Sequence, residues 1–246
     1  RDGLLQRWNL FAGMLGGTFV AIQTQTVPVI GVAIYSVASI AGQTASSLFV
    51  DATGLSGGAK QIITLRRVLA SLITVFAVLV SVWDRIDAST LSIVPVALAV
   101  IAGAIVGIQR ALNGKINIYS KQHWATSLLN FIMGSSFLLI LTAILSAAGK
   151  YDFVALPSSP WWIYLGGVVG VIYIAYSATI VQHLGVLAST LLSVGGNLFG
   201  ALLIDLLIPA KGVTVSIWLV LGIILSFLGV MIGGANTQSK KRLKKH

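Results

Sequence analysis

The stretches "IAGQTASSLFVD" (residues 40–51) and "VGGNLFGALLID" (194–205) share a form: a glycine, an amide beside it, and an aspartate eight residues after the amide. Sliding the chain against itself by 154 residues superposes them. The same shift sets Trp8 on Trp162, Gly13 on Gly167, Gly16 on Gly170, Gly31 on Gly185, Ser39 on Ser193 and Leu48 on Leu202. Residues 8–51 carry eleven identities without a gap, where so apolar a composition gives about four by chance. A repeat is therefore the first expectation, and the aspartates Asp51 and Asp205 are equivalent positions within it.

Composition names the solvent. The chain is 57% hydrophobic and 9% charged, with a mean hydropathy of +0.95, whereas about a quarter of the residues in a soluble domain are charged. A bilayer core about 30 Å thick takes roughly 20 apolar residues per helix. Eight runs of that kind stand out: 8–27, 31–50, 62–82, 91–112, 124–147, 161–181, 185–208 and 215–232. They are continuous rather than alternating at period two, which favours helices over a membrane barrel. The expected class is an all-α polytopic membrane protein.

The charges give an orientation. Eight spans place the loops alternately on two sides. Arg1, Arg7, Lys60, Arg66, Arg67, Arg110, Lys115, Lys121 and the tail residues Lys240, Lys241, Arg242, Lys244 and Lys245 all fall on the side of Arg1. The other side holds Arg85, Lys150 and Lys211 with Asp84, Asp87, Asp152 and Asp205. The positive-inside bias makes the basic side cytoplasmic, with both visible termini there. The net charge of +10 then needs no nucleic-acid partner; the tail, 237–246, faces anionic lipid headgroups. All six tryptophans fall at span ends, as interfacial anchors do.

Domain organisation follows from the repeat. The second copy, 89–236, holds five spans, while the first, 1–88, shows three. An odd number per copy makes the copies enter the membrane from opposite sides, the inverted-repeat plan of many secondary transporters. Residues 91–154 have no counterpart within the chain, so two further helices are expected upstream of Arg1, ten in all, of which eight are present here.

Three pieces carry a resemblance: "PWWIYLGGVVGVIY" (160–173), "GQTASSLFVDATG" (42–54) and "GIQRALNGKI" (107–116). With the five-plus-five plan, the sequence resembles the YdcZ-like inner-membrane exporters of the drug/metabolite transporter superfamily. The resemblance implies a ten-helix bacterial transporter with recurrent positions at Gly42, Gln43, Ser47, Asp51, Gln109, Asn113, Pro160, Trp161, Trp162, Gly166, Gly167 and Gly170. In the second copy Asn197 stands for Gln43 and Ala201 for Ser47, so the two halves do not build identical sites.

Polar side chains inside spans are costly unless they face protein or a wet cavity. Gln43, Asn197, Asn113, Asn130, Gln109 and Tyr173 are the candidate substrate pathway, set against the alternative that each merely bonds a neighbouring helix. Asp51 and Asp205 are candidate gates at opposite mouths. The plainer reading is two helix ends at the water interface. Each sits at the C-terminal, negative end of a helix dipole and wants a cationic partner, Arg66 or Arg67 for Asp51, and Lys211 or Arg85 for Asp205. Arg110, Lys115 and Lys121 are expected to snorkel to headgroups. Glycine pairs four residues apart, such as Gly13 with Gly17 and Gly103 with Gly107, suit close helix packing.

Cysteine is absent and the three histidines lack ligand spacing, so no metal site, catalytic constellation or cofactor is expected. The reading that results is a secondary transporter of the drug/metabolite type in the bacterial cytoplasmic membrane. It exports a small metabolite or toxic organic compound by alternating access, as a monomer. An importer, or a membrane accessory protein that transports nothing, are the alternatives.

Overall fold

In a computed structural model the described residues are 6–86, 92–150, 160–161, 165–207 and 216–234. The tail 237–246, Arg1, Asp87, Asp152, Trp162 and Lys211 lie outside them, as do the side chains of Arg85 and Asp205. The described residues form seven α-helices and two short 3-10 turns. The helices are α1 Ala12–Thr53, α2 Leu65–Ser81, α3 Ile93–Ser120, α4 His123–Ala147, α5 Leu165–Leu184, α6 Val186–Leu207 and α7 Ile217–Gly234. Five are long and apolar enough to cross a membrane: α1, α3, α4, α5 and α6.

The helix α1 is two legs. Gly31 has φ 77° and ψ 160°, outside any helix and inside the region open to glycine alone, and Pro28 removes a backbone donor just before it. The neighbours show which way each leg runs. Ala12 packs on Leu112 and Ile116 of α3, and Ile30 packs with Ala99, so the first leg is antiparallel to α3. Gly103 sits against Ser39, Gly107 against Ser46 and Ala111 against Val50, so the second leg is parallel to it. The chain therefore folds back at Gly31, and the ring of Phe19 meets that of Tyr35 at 6.2 Å across the fold. The two legs match the sequence runs 8–27 and 31–50.

Glycine sets the helix separations. A methyl placed on Gly42 would overlap the carbonyl of Val100, and one on Gly103 the carbonyl of Ser39, so the second leg and α3 touch backbone to backbone. Gly13 and Gly17 sit likewise against Asn130 and Gly134 of α4. In lipid no hydrophobic drive separates helix from tail, and such close approach supplies the dispersion that holds helices together. The pair α2 and α7 lies antiparallel on the same logic, Gly222 against Ala77 and Ser81, Gly229 against Ala70 and Thr74.

The two ends of the bundle differ. At one end residues 51–61, 114–120 and 181–186 meet, as shown by Gly57 against Lys115 and Ile118 and by Gly114 against Val181. Lys60, Arg66, Arg67, Lys115 and Lys121 all belong to this end. At the other, Trp83 faces Trp218 at 6.3 Å and the Ser216 hydroxyl donates to Asp84 at 2.7 Å. The helix α3 runs eight residues past its apolar stretch, because Asn113, Gly114, Ile116 and Asn117 are buried between neighbours.

Candidate functional site

The first site lies where the second leg of α1 ends. Gly54, at φ 73°, stops the helix, and the loop returns so that the Gln61 N–H donates to the Asp51 carbonyl at 2.9 Å. That places α2 with Arg67 beside the carboxylate. Arg67 donates to Asp51 Oδ2 and forms an ion pair with it, both groups being more than nine-tenths buried. Arg66 is exposed. The carboxylate also accepts the N–H of Val186 at 2.8 Å on Oδ1 and of Leu187 at 3.1 Å on Oδ2. These N–H groups open α6 and have no intrahelical acceptor. Asp51 therefore caps a helix 135 residues away. The positive end of the α6 dipole and Arg67 together offset the unfavourable C-terminal position in its own helix. This aspartate is buried and fully partnered, unlike a residue marking a helix end in water.

Three of the candidate pathway residues meet in a second site. Gln109 Nε2 and Asn113 Nδ2 both donate to Asn130 Oδ1, at 2.9 and 3.1 Å. They follow one another on α3 at helical spacing, and Asn130 approaches from α4 because Gly13 and Gly16 of α1 leave room for both. All three amides are buried, and Asn113 Oδ1 has no hydrogen-bond partner. An acceptor left so costs about 1–3 kcal/mol. At 1.5 Å per residue Gln109 and Asn113 lie about 17 and 11 Å inside the Ser120 end of α3.

The third site was hidden from sequence reasoning. Arg110, expected to snorkel, is 8% exposed. Its guanidinium donates to Thr190 Oγ1 of α6 at 3.1 Å and to the Tyr173 hydroxyl of α5, whose ring centroid lies 5.9 Å away. Thr190 also bonds Ser47 at 3.0 Å, joining this group to the helix that carries Asp51. Tyr173 is thus tied to Arg110 rather than to the amides. With Tyr176, Ser177, Ile180, Ser189, Leu192 and Ser193 it lines a small, mostly apolar cavity between α5 and α6. No sequence signal marked Arg110: the apolar run ends at 112, two residues beyond it, and only the extension of α3 to Ser120 places it about 15 Å inside the helix.

Gln43 is half-buried against α3, while Asn197 is exposed on the outer face of α6, apart from the amide cluster. The glycines beside it, Gly196 and Gly200, meet nothing within 4 Å, whereas their repeat partners Gly42 and Ser46 are packed on α3. No group of His, Asp and Glu suited to a metal occurs among the described residues.

A sequence model of the family described as "Putative inner membrane exporter, YdcZ" matches residues 3–80 and 94–232. No curated protein matches the chain. With apolar helices long enough to cross a bilayer and a family match over nearly its whole length, the chain belongs to the YdcZ family so described.

Proposed function

We propose that the protein is a secondary transporter of the drug/metabolite type that exports a small metabolite or toxic organic compound by alternating access. In this reading it acts as a monomer in the bacterial cytoplasmic membrane, with both visible ends in the cytoplasm. The observation that carries the reading is Asn113 Oδ1, a buried acceptor without a partner inside a helix of an exporter family. A substrate hydroxyl or amine donating to it recovers the lost hydrogen bond, which ties binding to the interior of the bundle.

Alternating access rests on the inverted repeat, and two glycines support it. Gly31 and Gly185 are equivalent under the 154-residue shift, and both turn the chain at positive φ, 77° and 85°. Gly31 adjoins Ile30 and Ile34, which pack with Ile86 near the Trp83 end, while Gly185 adjoins Asp51 at the other. Equivalent turns at opposite ends suit copies inserted in opposite senses. In the gate reading, Asp51 clasps Val186 and Leu187 when its mouth is closed. Asp205, in the same reading, pairs with Lys211 or Arg85 when the other mouth closes.

The test compares the culture medium of a deletion strain with that of the complemented strain by mass spectrometry. Wild type is expected to restore an exported solute, and Asn113→Leu to leave it inside while reaching the membrane at normal level. Full restoration by Asn113→Leu would show that the amides serve helix packing only.

A further inference from the structure

Several positions that are buried in the first half of the chain are exposed at their counterparts under the 154-residue shift: Ala12 and Gly166, Gly13 and Gly167, Ala38 and Leu192, Gly42 and Gly196. In the first half α3 and α4 cover them. Ala12 packs on Leu112 and Ile116, Gly13 on Asn130, Ala38 clusters with Ala99, and Gly42 lies on Val100. In the second half Gly166, Gly167, Gly196 and Gly200 meet no atom of the described residues within 4 Å. Asn197 is exposed beside them, about 17 Å from the Val186 end of α6. An amide and bare glycine backbone at that depth suit a neighbouring helix, because lipid leaves the amide without a partner and gains little from glycine.

The groove between α5 and α6 matches the one that α3 fills. A mostly apolar cavity of about 90 Å³ lies there, and its α6 wall is Ser189, Leu192 and Ser193. Their counterparts, Tyr35, Ala38 and Ser39, form the wall against which α3 lies through Ala99 and Gly103. On α3 the small residues Ala99, Gly103 and Gly107 recur at every fourth position, so one helix face enters the fold-back of α1 to backbone contact. Chain direction then tells what fits the second groove. Helix α3 is antiparallel to the first leg of α1 and parallel to the second. A helix held the same way on α5 and α6 leaves the Val186 end, and a second one in the place of α4 returns to it. Helix α1 begins at that same end, since Ala12 packs on Ile116. A hairpin docked on α5 and α6 thus delivers its chain to the start of α1.

We propose that the α5–α6 groove seats two further transmembrane helices of the same polypeptide, placed ahead of Arg1, the first of them carrying small residues at every fourth position. Ser193, Gly196 and Gly200 take the first helix, and Gly167 takes the second. The unmatched segment 91–154, which holds α3 and α4, gives the size of the pair. The corresponding helices of a second copy do not serve, because α3 and α4 are already packed on α1. This seat is independent of whether the protein transports a solute.

The experiment places the photoreactive residue p-benzoylphenylalanine at Leu192 and, in a second variant, at Tyr176, in the product of the complete open reading frame expressed in membranes. Phe199 is the control on the same helix, because its counterpart Ala45 is exposed in the first half. After irradiation, cross-linked peptides are mapped by mass spectrometry. The expected result is a cross-link from Leu192 or Tyr176 to a peptide ahead of Arg1, within a single polypeptide, and none from Phe199. Gly196→Ala, whose methyl meets nothing within residues 1–246, should lower the Tm of the longer product by about 4 °C. Any of four outcomes overturns the proposal: a reading frame without two apolar spans ahead of Arg1; adducts at both positions with lipid alone; adducts of doubled mass, which seat a second copy in the groove; or Gly196→Ala melting with wild type in the longer product.

Discussion

A carboxylate oxygen of Asp51 accepts the backbone N–H of Val186 at 2.8 Å, so the end of one helix closes the start of another. Arg67 completes the clasp from α2. Three segments far apart in sequence are held by one side chain.

Asp51→Asn keeps the size and one acceptor oxygen but leaves Arg67 buried without its counter-ion. A loss of about 3 kcal/mol in unfolding stability is expected. Adding Arg67→Met should recover part of it, a coupling above about 1 kcal/mol in the double-mutant cycle. If Asp51 is also a gate, its loss opens this mouth. A cysteine placed at Ser56, 6% exposed in a chain with no native cysteine, should then label faster with a membrane-impermeant thiol reagent applied to that side. Additive stabilities and unchanged labelling would reduce Asp51 to an isolated cap.

Gly31→Ala tests the fold-back. A methyl there meets nothing within 4 Å, so the cost is backbone strain alone, about 1–3 kcal/mol. At Gly185 the methyl would crowd Gln61 Nε2 at 2.6 Å and Asp51 Oδ2 at 3.2 Å in addition to the strain. Gly185→Ala should therefore melt lower than Gly31→Ala. The reverse order would mean that the Asp51 clasp tolerates displacement.

Gly103→Ala and Gly196→Ala separate packed from open glycines. The first drives a methyl into the Ser39 carbonyl and should cost about 3 kcal/mol or more through separation of α1 from α3. The second meets nothing within 4 Å and should be neutral or stabilising by up to about 1 kcal/mol from helix propensity. Equal melting temperatures for the two variants would contradict the backbone contact.

Most of the helices were legible because hydropathy reports the solvent directly: a residue bound for lipid is apolar whichever neighbour it later meets. The breaks at 28–30 and 182–184 were legible for a similar local reason, since Pro28, Gly31 and Gly185, at or beside them, limit the backbone by themselves. The last turns of α3 were missed because 113–120 reads as a polar loop until the packing of Asn113 and Asn117 is known. Arg67 was one of two named partners for Asp51; helix α2 had to be docked before the burial of Arg67 and the exposure of Arg66 could be told apart.

By itself the sequence determined a membrane-spanning helical chain, its charge asymmetry and the set of costly polar side chains. Only the tertiary structure decided which of these meet: Gln109, Asn113 and Asn130 in one cluster, Asp51 on the start of α6, Arg110 between Thr190 and Tyr173, and Asn197 outside. Helical spacing fixes the face of a side chain relative to its own helix. Which helix covers that face depends on glycine contacts between residues far apart in the chain, and those contacts exist only after the bundle has packed.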